Sequence, residues 1–134
     1  MAAALQGEWS LDHNENYDDF LKAAGMGAMK RTMAVKLGGS LTITPLGDAK
    51  LKVKTVNGPK TKEREIPIGV EFEDEGVDGA TAKGKFVFEN GKMVGNFITG
   101  KGKKLAISRE IQNGLLVQTM NFDGTECKRF YKKK

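Results

Sequence analysis

Two arginines and a tyrosine are the residues of this sequence best placed to bind an anion. Arg129 and Tyr131 are two positions apart in an alternating C-terminal segment, so in a strand they share a face. Arg109 lies in another alternating segment and is a second candidate for an inward position. Guanidinium groups turned inward are costly unless an anion or water satisfies them. The alternatives are exposed arginines, or internal ion pairs with Glu110 or Glu126.

The remaining reactive side chains form no recognisable catalytic or metal-binding combination. The chain has one Cys and one His, which cannot supply a Cys/His zinc site or an intramolecular disulfide. His13 has no serine or cysteine placed to use it as a base, and we expect it on the surface. Cys127 shares the period of Arg129 and is expected to be a small lining residue. The sequence therefore predicts a protein that is not an enzyme and needs no metal or cofactor.

The basic charge of the chain is concentrated at its C-terminus. The 134 residues include 22 Lys+Arg and 17 Asp+Glu, for a net charge of +5. Residues 127–134 hold five of the basic residues and no acid, which leaves 17 of each sign elsewhere. Lys132–Lys134 are expected to be a solvated end. No basic stripe with interleaved aromatics is present, which argues against a nucleic-acid partner. No apolar run is long enough for a membrane span, and the interpretation is one cytoplasmic domain.

Helical spacing near the N-terminus gives way to strict alternation. A strand is predicted over residues 7–11, followed by two short helices joined by about two residues, with Asn16 as N-cap and a lid over about 16–37. From residue 40 about nine alternating segments follow, separated by Asn-Gly, Asp-Gly and similar turns. This predicts an all-β, ten-stranded antiparallel up-and-down barrel, closed so that no edges remain and wide enough to enclose a cavity.

Three segments resemble the intracellular lipid-binding proteins, a family that includes fatty-acid-binding and cellular retinoid-binding proteins. The N-terminal segment is Gly7-x-Trp9-x-Leu11-x4-Asn16-Tyr17-Asp18-x-Phe20-Leu21. The others are residues 68–73 and the stretch from Ser108 to Tyr131. The resemblance covers essentially the whole chain, 1–134. It implies a single domain with the β-clam fold, ten antiparallel strands capped by a helix-turn-helix lid.

The resemblance also implies a function and a site. It indicates a non-enzymatic, monomeric carrier of a long-chain fatty acid, whose carboxylate is held by Arg109, Arg129 and Tyr131 as in the heart and adipocyte members. Lid cations at Lys22, Lys30 and Arg31 are candidates for transient contact with anionic membranes. The residues expected along the ligand tail and entry portal are Tyr17, Phe20, Leu21, Met26, Met33, Val56, Phe72, Gln118 and Met120.

Two alternative functions remain open on the sequence. Within the family, a liver- or bile-acid-type carrier takes two ligands or a sterol. From a different class, a basic β-barrel binds nucleic acid, which requires exposed aromatic rings and gives binding that weakens steeply with salt. Ligand stoichiometry distinguishes the first alternative, and the placement of the aromatic side chains distinguishes the second.

Overall fold

Ten strands and two short α-helices are present in the computed structural model, which describes residues 3–134. A 3₁₀ turn at Ala3–Leu5 precedes β1 (Gly7–Glu15), and the helices α1 (Tyr17–Ala23) and α2 (Ala28–Lys36) follow it. The remaining strands are β2 (Gly39–Pro45), β3 (Lys50–Asn57), β4 (Lys60–Pro67), β5 (Phe72–Glu75), β6 (Thr81–Glu89), β7 (Lys92–Thr99), β8 (Lys104–Gln112), β9 (Leu115–Phe122) and β10 (Thr125–Lys133).

All ten strands belong to one antiparallel sheet in the order β4-β3-β2-β1-β10-β9-β8-β7-β6-β5. The sheet curls around one cluster of buried apolar side chains contributed by the strands and α1. The predicted ten-stranded antiparallel barrel with a helical cap is therefore confirmed. The prediction of full closure is wrong, because β4 and β5 lie at the two ends of the sheet and are not paired with each other.

Two-residue turns set the register of the C-terminal strands. At Asn113-Gly114 and Asp123-Gly124 both residues have positive φ, with values of 51° and 80° and of 49° and 105°. Turns with two positive φ values match the twist of antiparallel strands, and Asn-Gly and Asp-Gly adopt them at low cost. Because each loop has two residues, the strands pair directly from the turn outward, and every facing pair along β8, β9 and β10 is fixed.

The first helix is anchored in the barrel, although its start differs from the prediction. Asn16 has a left-handed backbone (φ 57°), and its side chain does not cap the helix. Its Nδ2 instead donates to the backbone oxygen of Glu126 at 2.7 Å, which joins the end of β1 to β10. Phe20 is fully buried and Leu21 nearly so, so α1 is fixed by apolar packing. Four residues, 24–27, join the helices, where about two were expected.

The second helix rests on the first and buries none of its own side chains. Met29 is 81% exposed and Met33 is 62% exposed, so neither methionine packs beneath the lid. The helix is held mainly through Arg31, whose Nε donates to the Asp18 carboxylate at 3.1 Å. A second nitrogen of Arg31 donates to the backbone oxygen of Met26 at 2.8 Å. The spacing of four residues between these methionines indicates a helix but does not show which face of the helix is covered.

The C-terminal lysines are also more ordered than expected, since β10 runs to Lys133. The Lys133 ammonium lies 4.7 Å from the centre of the Trp9 ring and donates to the backbone oxygen of Gln6 at 2.6 Å. Trp9 is buried, and its indole N–H donates to the backbone oxygen of Leu5 at 3.0 Å. The last strand therefore fastens the N-terminal segment to the barrel.

Replacing Gly84 by alanine should destabilise the barrel. A β-carbon there would overlap the backbone oxygen of Asn96 and lie 2.8 Å from the Phe97 Cα, and neither backbone atom can move independently. We expect Gly84→Ala to lower the free energy of unfolding by about 1–3 kcal/mol in urea titrations. The matched control is Gly38→Ala, because a β-carbon at Gly38 meets nothing within 4 Å. Equal stabilities for the two variants would contradict this packing account.

Candidate ligand-binding site

A row of polar side chains crosses four neighbouring strands at the centre of the sheet. Arg109 on β8 faces Gln118 on β9, Gln118 faces Arg129 on β10, and Arg129 faces Asn14 on β1. Arg109, Gln118 and Arg129 are each 7% exposed or less. Neighbouring strands are about 4.8 Å apart, so the backbones of the two arginines are separated by roughly 10 Å. The fold thus places two buried cations on either side of one amide.

Arg109 is a buried cation without an acidic partner among residues 3–134. Its Nε donates to Gln118 Oε1 at 2.9 Å, and its guanidinium carbon lies 5.8 Å from the centre of the Phe86 ring. The pKa of Arg109 is lowered to about 10, mainly by burial and to a smaller extent by the charge of Arg64, while Tyr131 opposes the shift. The side chain is therefore still protonated at neutral pH. Glu110, considered above as a partner, pairs with Lys92 at 3.0 Å instead.

Arg129 is held between the lid and the strands. Its Nε donates to Asn14 Oδ1 at 3.0 Å. Its guanidinium carbon lies 4.4 Å from the centre of the Tyr17 ring on α1 and 5.8 Å from that of Tyr131. Burial raises the pKa of Tyr17, although the charge of Arg129 opposes this shift. Glu126 is exposed and forms no ion pair with Arg129 in the described chain, so neither glutamate neutralises the two arginines.

The interior cavity lies against Arg109 and measures about 130 Å³. Ligand pockets for small molecules usually start at about 300 Å³. A long-chain ligand therefore requires side chains or the lid to move. A wider, open depression on the outer face of the barrel contains none of the three buried polar side chains. The cavity is lined by Val53, Thr55, Arg64, Ile66, Asp74, Glu75, Val77, Ala82, Phe86, Phe97, Leu105, Ile107 and Arg109.

Most residues expected along the tail and portal face the interior. Phe72 packs on Phe86 with ring centres 6.2 Å apart and meets Phe97 edge-on at 5.7 Å. Met120 is buried beside Gln118, whose Nε2 lies 3.4 Å from the methionine sulfur. The lid contributes three buried and three half-buried side chains to the same apolar cluster, namely Phe20, Leu21 and Ala24, and Tyr17, Met26 and Ala34.

Three of the expected tail and portal residues lie outside the apolar cluster. Met33 is mostly in solvent, because α2 turns this face away from the barrel. Val56 lies on the face of β3 opposite to Val53 and outside the apolar cluster. Gln118 belongs to the polar row and hydrogen bonds to Arg109, so it is not part of the tail region.

Sequence reasoning missed several residues of this region. Asn14 could have been predicted, because a β1 strand that continues to Glu15 must pair with a neighbouring strand through its later residues, which include Asn14. Arg64 and Asp74 line the cavity, and nothing in the alternation distinguished them from surface charges. They come from strands that share no backbone hydrogen bonds, so no turn relates their positions.

The remaining reactive groups have unreactive surroundings. Cys127 is fully buried, and burial raises the pKa of its thiol to about 12, so the sulfur is protonated at neutral pH. His13 is exposed, as predicted, and lies 2.6 Å from the Asp12 carboxylate. Within residues 3–134 no three His, Cys, Asp or Glu side chains cluster as a metal site would require. Neither of the helices in that range is long and apolar enough to cross a bilayer.

Comparison with known proteins identifies the family. Residues 6–134 match the Lipocalin / cytosolic fatty-acid binding protein family, and the chain belongs to it. Mouse intestinal fatty acid-binding protein is 35% identical over 131 residues, covering 97% of this chain and 98% of that protein. Rat cellular retinoic acid-binding protein 2 is 35% identical over 133 residues, covering 95% and 96%. The solved structure of the REP1-NXSQ fatty acid transporter superposes with a TM-score of 0.89 at 31% identity, covering 99% and 98%.

Removing the charge of Arg109 should stabilise the ligand-free protein. Arg109→Met eliminates a buried cation that no carboxylate neutralises, so we expect the free energy of unfolding to rise by roughly 1–3 kcal/mol. The measurement is urea unfolding of delipidated protein. Lys92→Met removes an exposed charge and should change stability by less than about 0.5 kcal/mol. A clear loss of stability in Arg109→Met would show that the cation is already compensated.

Proposed function

We propose that this protein is a non-enzymatic carrier that binds a long-chain fatty acid inside the barrel, with the carboxylate on Arg109, Arg129 and Tyr131. The observation that carries the proposal is the burial of Arg109 without an acidic partner in the described chain. Its free donors need an anion that can enter an apolar interior. Relatives named as fatty acid-binding proteins support the same ligand class. We place the carrier in the cytoplasm as a monomer.

The chemistry of the polar row suits a single carboxylate. Each charge-assisted hydrogen bond from a guanidinium contributes about 1.5–3 kcal/mol. Tyr131 lies two residues beyond Arg129 on the same face and is buried, so its hydroxyl is available to the same oxygens. Each buried methylene of the acyl chain adds about 0.8 kcal/mol before ordering costs are subtracted. The tail therefore supplies most of the affinity, and the row supplies the selectivity for an acid.

The ligand enters, in this proposal, between α2 and the turn that joins β3 to β4. A β-carbon on Gly58 in that turn would lie 2.8 Å from a methyl carbon of Leu37, just after α2, so the two segments touch. The N–H of Gly58 also donates to the backbone oxygen of Gly38 at 3.3 Å. Since α2 buries no side chain, separating it from the turn exposes little apolar surface.

Replacing Arg129 should weaken binding of an acid far more than binding of its alcohol. We expect Arg129→Gln to reduce stearate affinity by about tenfold or more, while stearyl alcohol changes by less than about threefold. Titration calorimetry gives both affinities and the stoichiometry. Lys128→Gln is the matched control, because it removes the adjacent outward charge. Equal losses for both ligands would contradict the carboxylate site. A stoichiometry of two would favour the liver- or bile-acid-type alternative.

The placement of the aromatic rings does not favour nucleic-acid binding. Every aromatic side chain among residues 3–134 is buried or half-buried. Single-stranded nucleic acids are bound by exposed rings on which bases stack. The net charge of +5 is therefore not accompanied, among residues 3–134, by the exposed aromatic rings that nucleic-acid binding needs.

Transient contact with anionic membranes belongs to the same proposal. Met29 and Met33 are exposed on α2 beside Lys30, which combines apolar and basic groups on the lid. Arg31 is not a free surface cation, because it ties α2 to α1 and only 17% of its side chain is exposed. A membrane-binding test must therefore leave Arg31 intact.

Charge reversal at Lys22 and Lys30 should slow ligand delivery to anionic vesicles. We expect at least a fivefold lower transfer rate of a fluorescent fatty acid to phosphatidylserine-containing vesicles, because the lid loses its attraction to the surface. Stopped-flow fluorescence measures the rate. The control pair is Lys54→Glu with Lys85→Glu, both exposed on strands. Similar slowing in both pairs would mean that overall charge, and not the lid, controls transfer.

A further inference from the structure

A pair of opposite charges bridges the gap between the two edge strands of the sheet. Arg64 on β4 donates to the carboxylate of Asp74 on β5, although the strands share no backbone pairing. A second pair lies beside it, with Lys62 Nζ 2.7 Å from a carboxylate oxygen of Glu75. The hydrogen bond from Lys62 lowers the pKa of Glu75. Two ion pairs thus hold the gap, one of them more exposed than the other.

The two pairs differ in where they lie. Lys62 and Glu75 leave 45% and 64% of their side chains in solvent. Arg64 and Asp74 are 30% and 24% exposed, and both line the interior cavity together with Arg109. The charge of Arg64 also acts on Arg109, since it contributes to the lowered pKa of that group. Arg64 and Asp74, the inner pair, are therefore part of the cavity that holds the ligand in the proposed function.

A purely hydrocarbon tail gives this pair no interaction. Ions withdrawn from water lose solvation, and methylene groups packed against them restore none of it. Other walls of the cavity, including Phe86, Phe97 and Leu105, already suit hydrocarbon. The outer pair of Lys62 and Glu75 already bridges the strands at the surface. A ligand with a polar atom beside Arg64 and Asp74 would form hydrogen bonds there that a plain fatty acid cannot form.

The chemistry of the pair selects among polar groups. A guanidinium carries five N–H donors, and a carboxylate accepts only. Together they present donors and acceptors side by side, which matches a hydroxyl because a hydroxyl donates and accepts. A second carboxylate on the ligand would be repelled by Asp74, and a ketone would use the donors alone.

Resting on the proposed function, we propose that Arg64 and Asp74 form a second recognition site inside the barrel, and that the ligand class is a long-chain fatty acid with a hydroxyl on its chain. The carboxylate occupies the polar row beside Arg109, and the hydroxyl accepts from Arg64 and donates to Asp74. The strands that carry this site are the edges of the sheet, so the site forms at the seam of the barrel.

Binding of a ligand series tests the proposal. The probes are stearate, stearyl alcohol and monohydroxystearates that differ in the position of the hydroxyl. We expect at least one hydroxystearate to bind the wild-type protein about tenfold more tightly than stearate. Arg64→Met with Asp74→Leu should abolish that preference, so that this variant binds hydroxystearate and stearate within about threefold of each other. The matched control, Lys62→Met, breaks the outer pair between the same strands at a residue outside the cavity lining and should keep the preference.

The outcomes separate this site from the proposed function. If no hydroxystearate is preferred by the wild type, or if the preference survives loss of the inner pair, the second site is overturned. The first of these outcomes, the absence of a preference in the wild type, is measured without any variant and does not depend on how the double variant folds. If stearate and stearyl alcohol bind the wild type equally, the carboxylate site fails, whatever the hydroxyl preference. If Lys62→Met loses the preference as well, the pairs act only to hold the strands together, and the second site is overturned.

Discussion

The burial of two arginine charges in one cross-strand row is the constraint around which this barrel is organised. A buried cation is costly, and among residues 3–134 Arg109 and Arg129 each donate to one amide oxygen and lie near aromatic rings, with a further contact from Arg109 to the Met93 sulfur at 3.9 Å. The lid, the polar row and the apolar cavity therefore depend on one another. Tyr17 reaches from α1 to Arg129, so the position of the helix and the electrostatics of the site are linked.

The C-terminal half shows how far local sequence can determine a site. Asn113-Gly114 and Asp123-Gly124 are turn sequences with a defined loop length, and once the loops have two residues the pairing of Arg109, Gln118 and Arg129 follows by counting. Alternation and helical spacing predicted the ten strands, the lid and the inward arginines, and the family resemblance implied the same fold and the role of the arginines as a carboxylate site. The same counting places Gln118 between the two arginines, in the polar row.

Other features depend on contacts that no local pattern encodes. The spacing of Met29 and Met33 is the same whether that face of α2 is covered or exposed. The helix is oriented by the hydrogen bonds of Arg31 and by the packing of Ala34 on the apolar cluster, which that spacing does not encode. Asn16 has the composition of an N-cap but uses its amide on β10, which is 110 residues away in sequence. Arg64 and Asp74 meet across a seam without backbone pairing, so alternation along either strand does not bring them together.

The first and last strands of the chain are neighbours in the sheet. β1 pairs with β10, and the N–H of Lys134 donates to the backbone oxygen of Glu8 at 3.0 Å, so the end of β10 lies beside the start of β1. The sheet read from β5 through β10, then β1 to β4, is one uninterrupted meander. A circular permutant cut between β4 and β5 would therefore keep every backbone strand pairing, with its new termini at the seam where the two ion pairs lie.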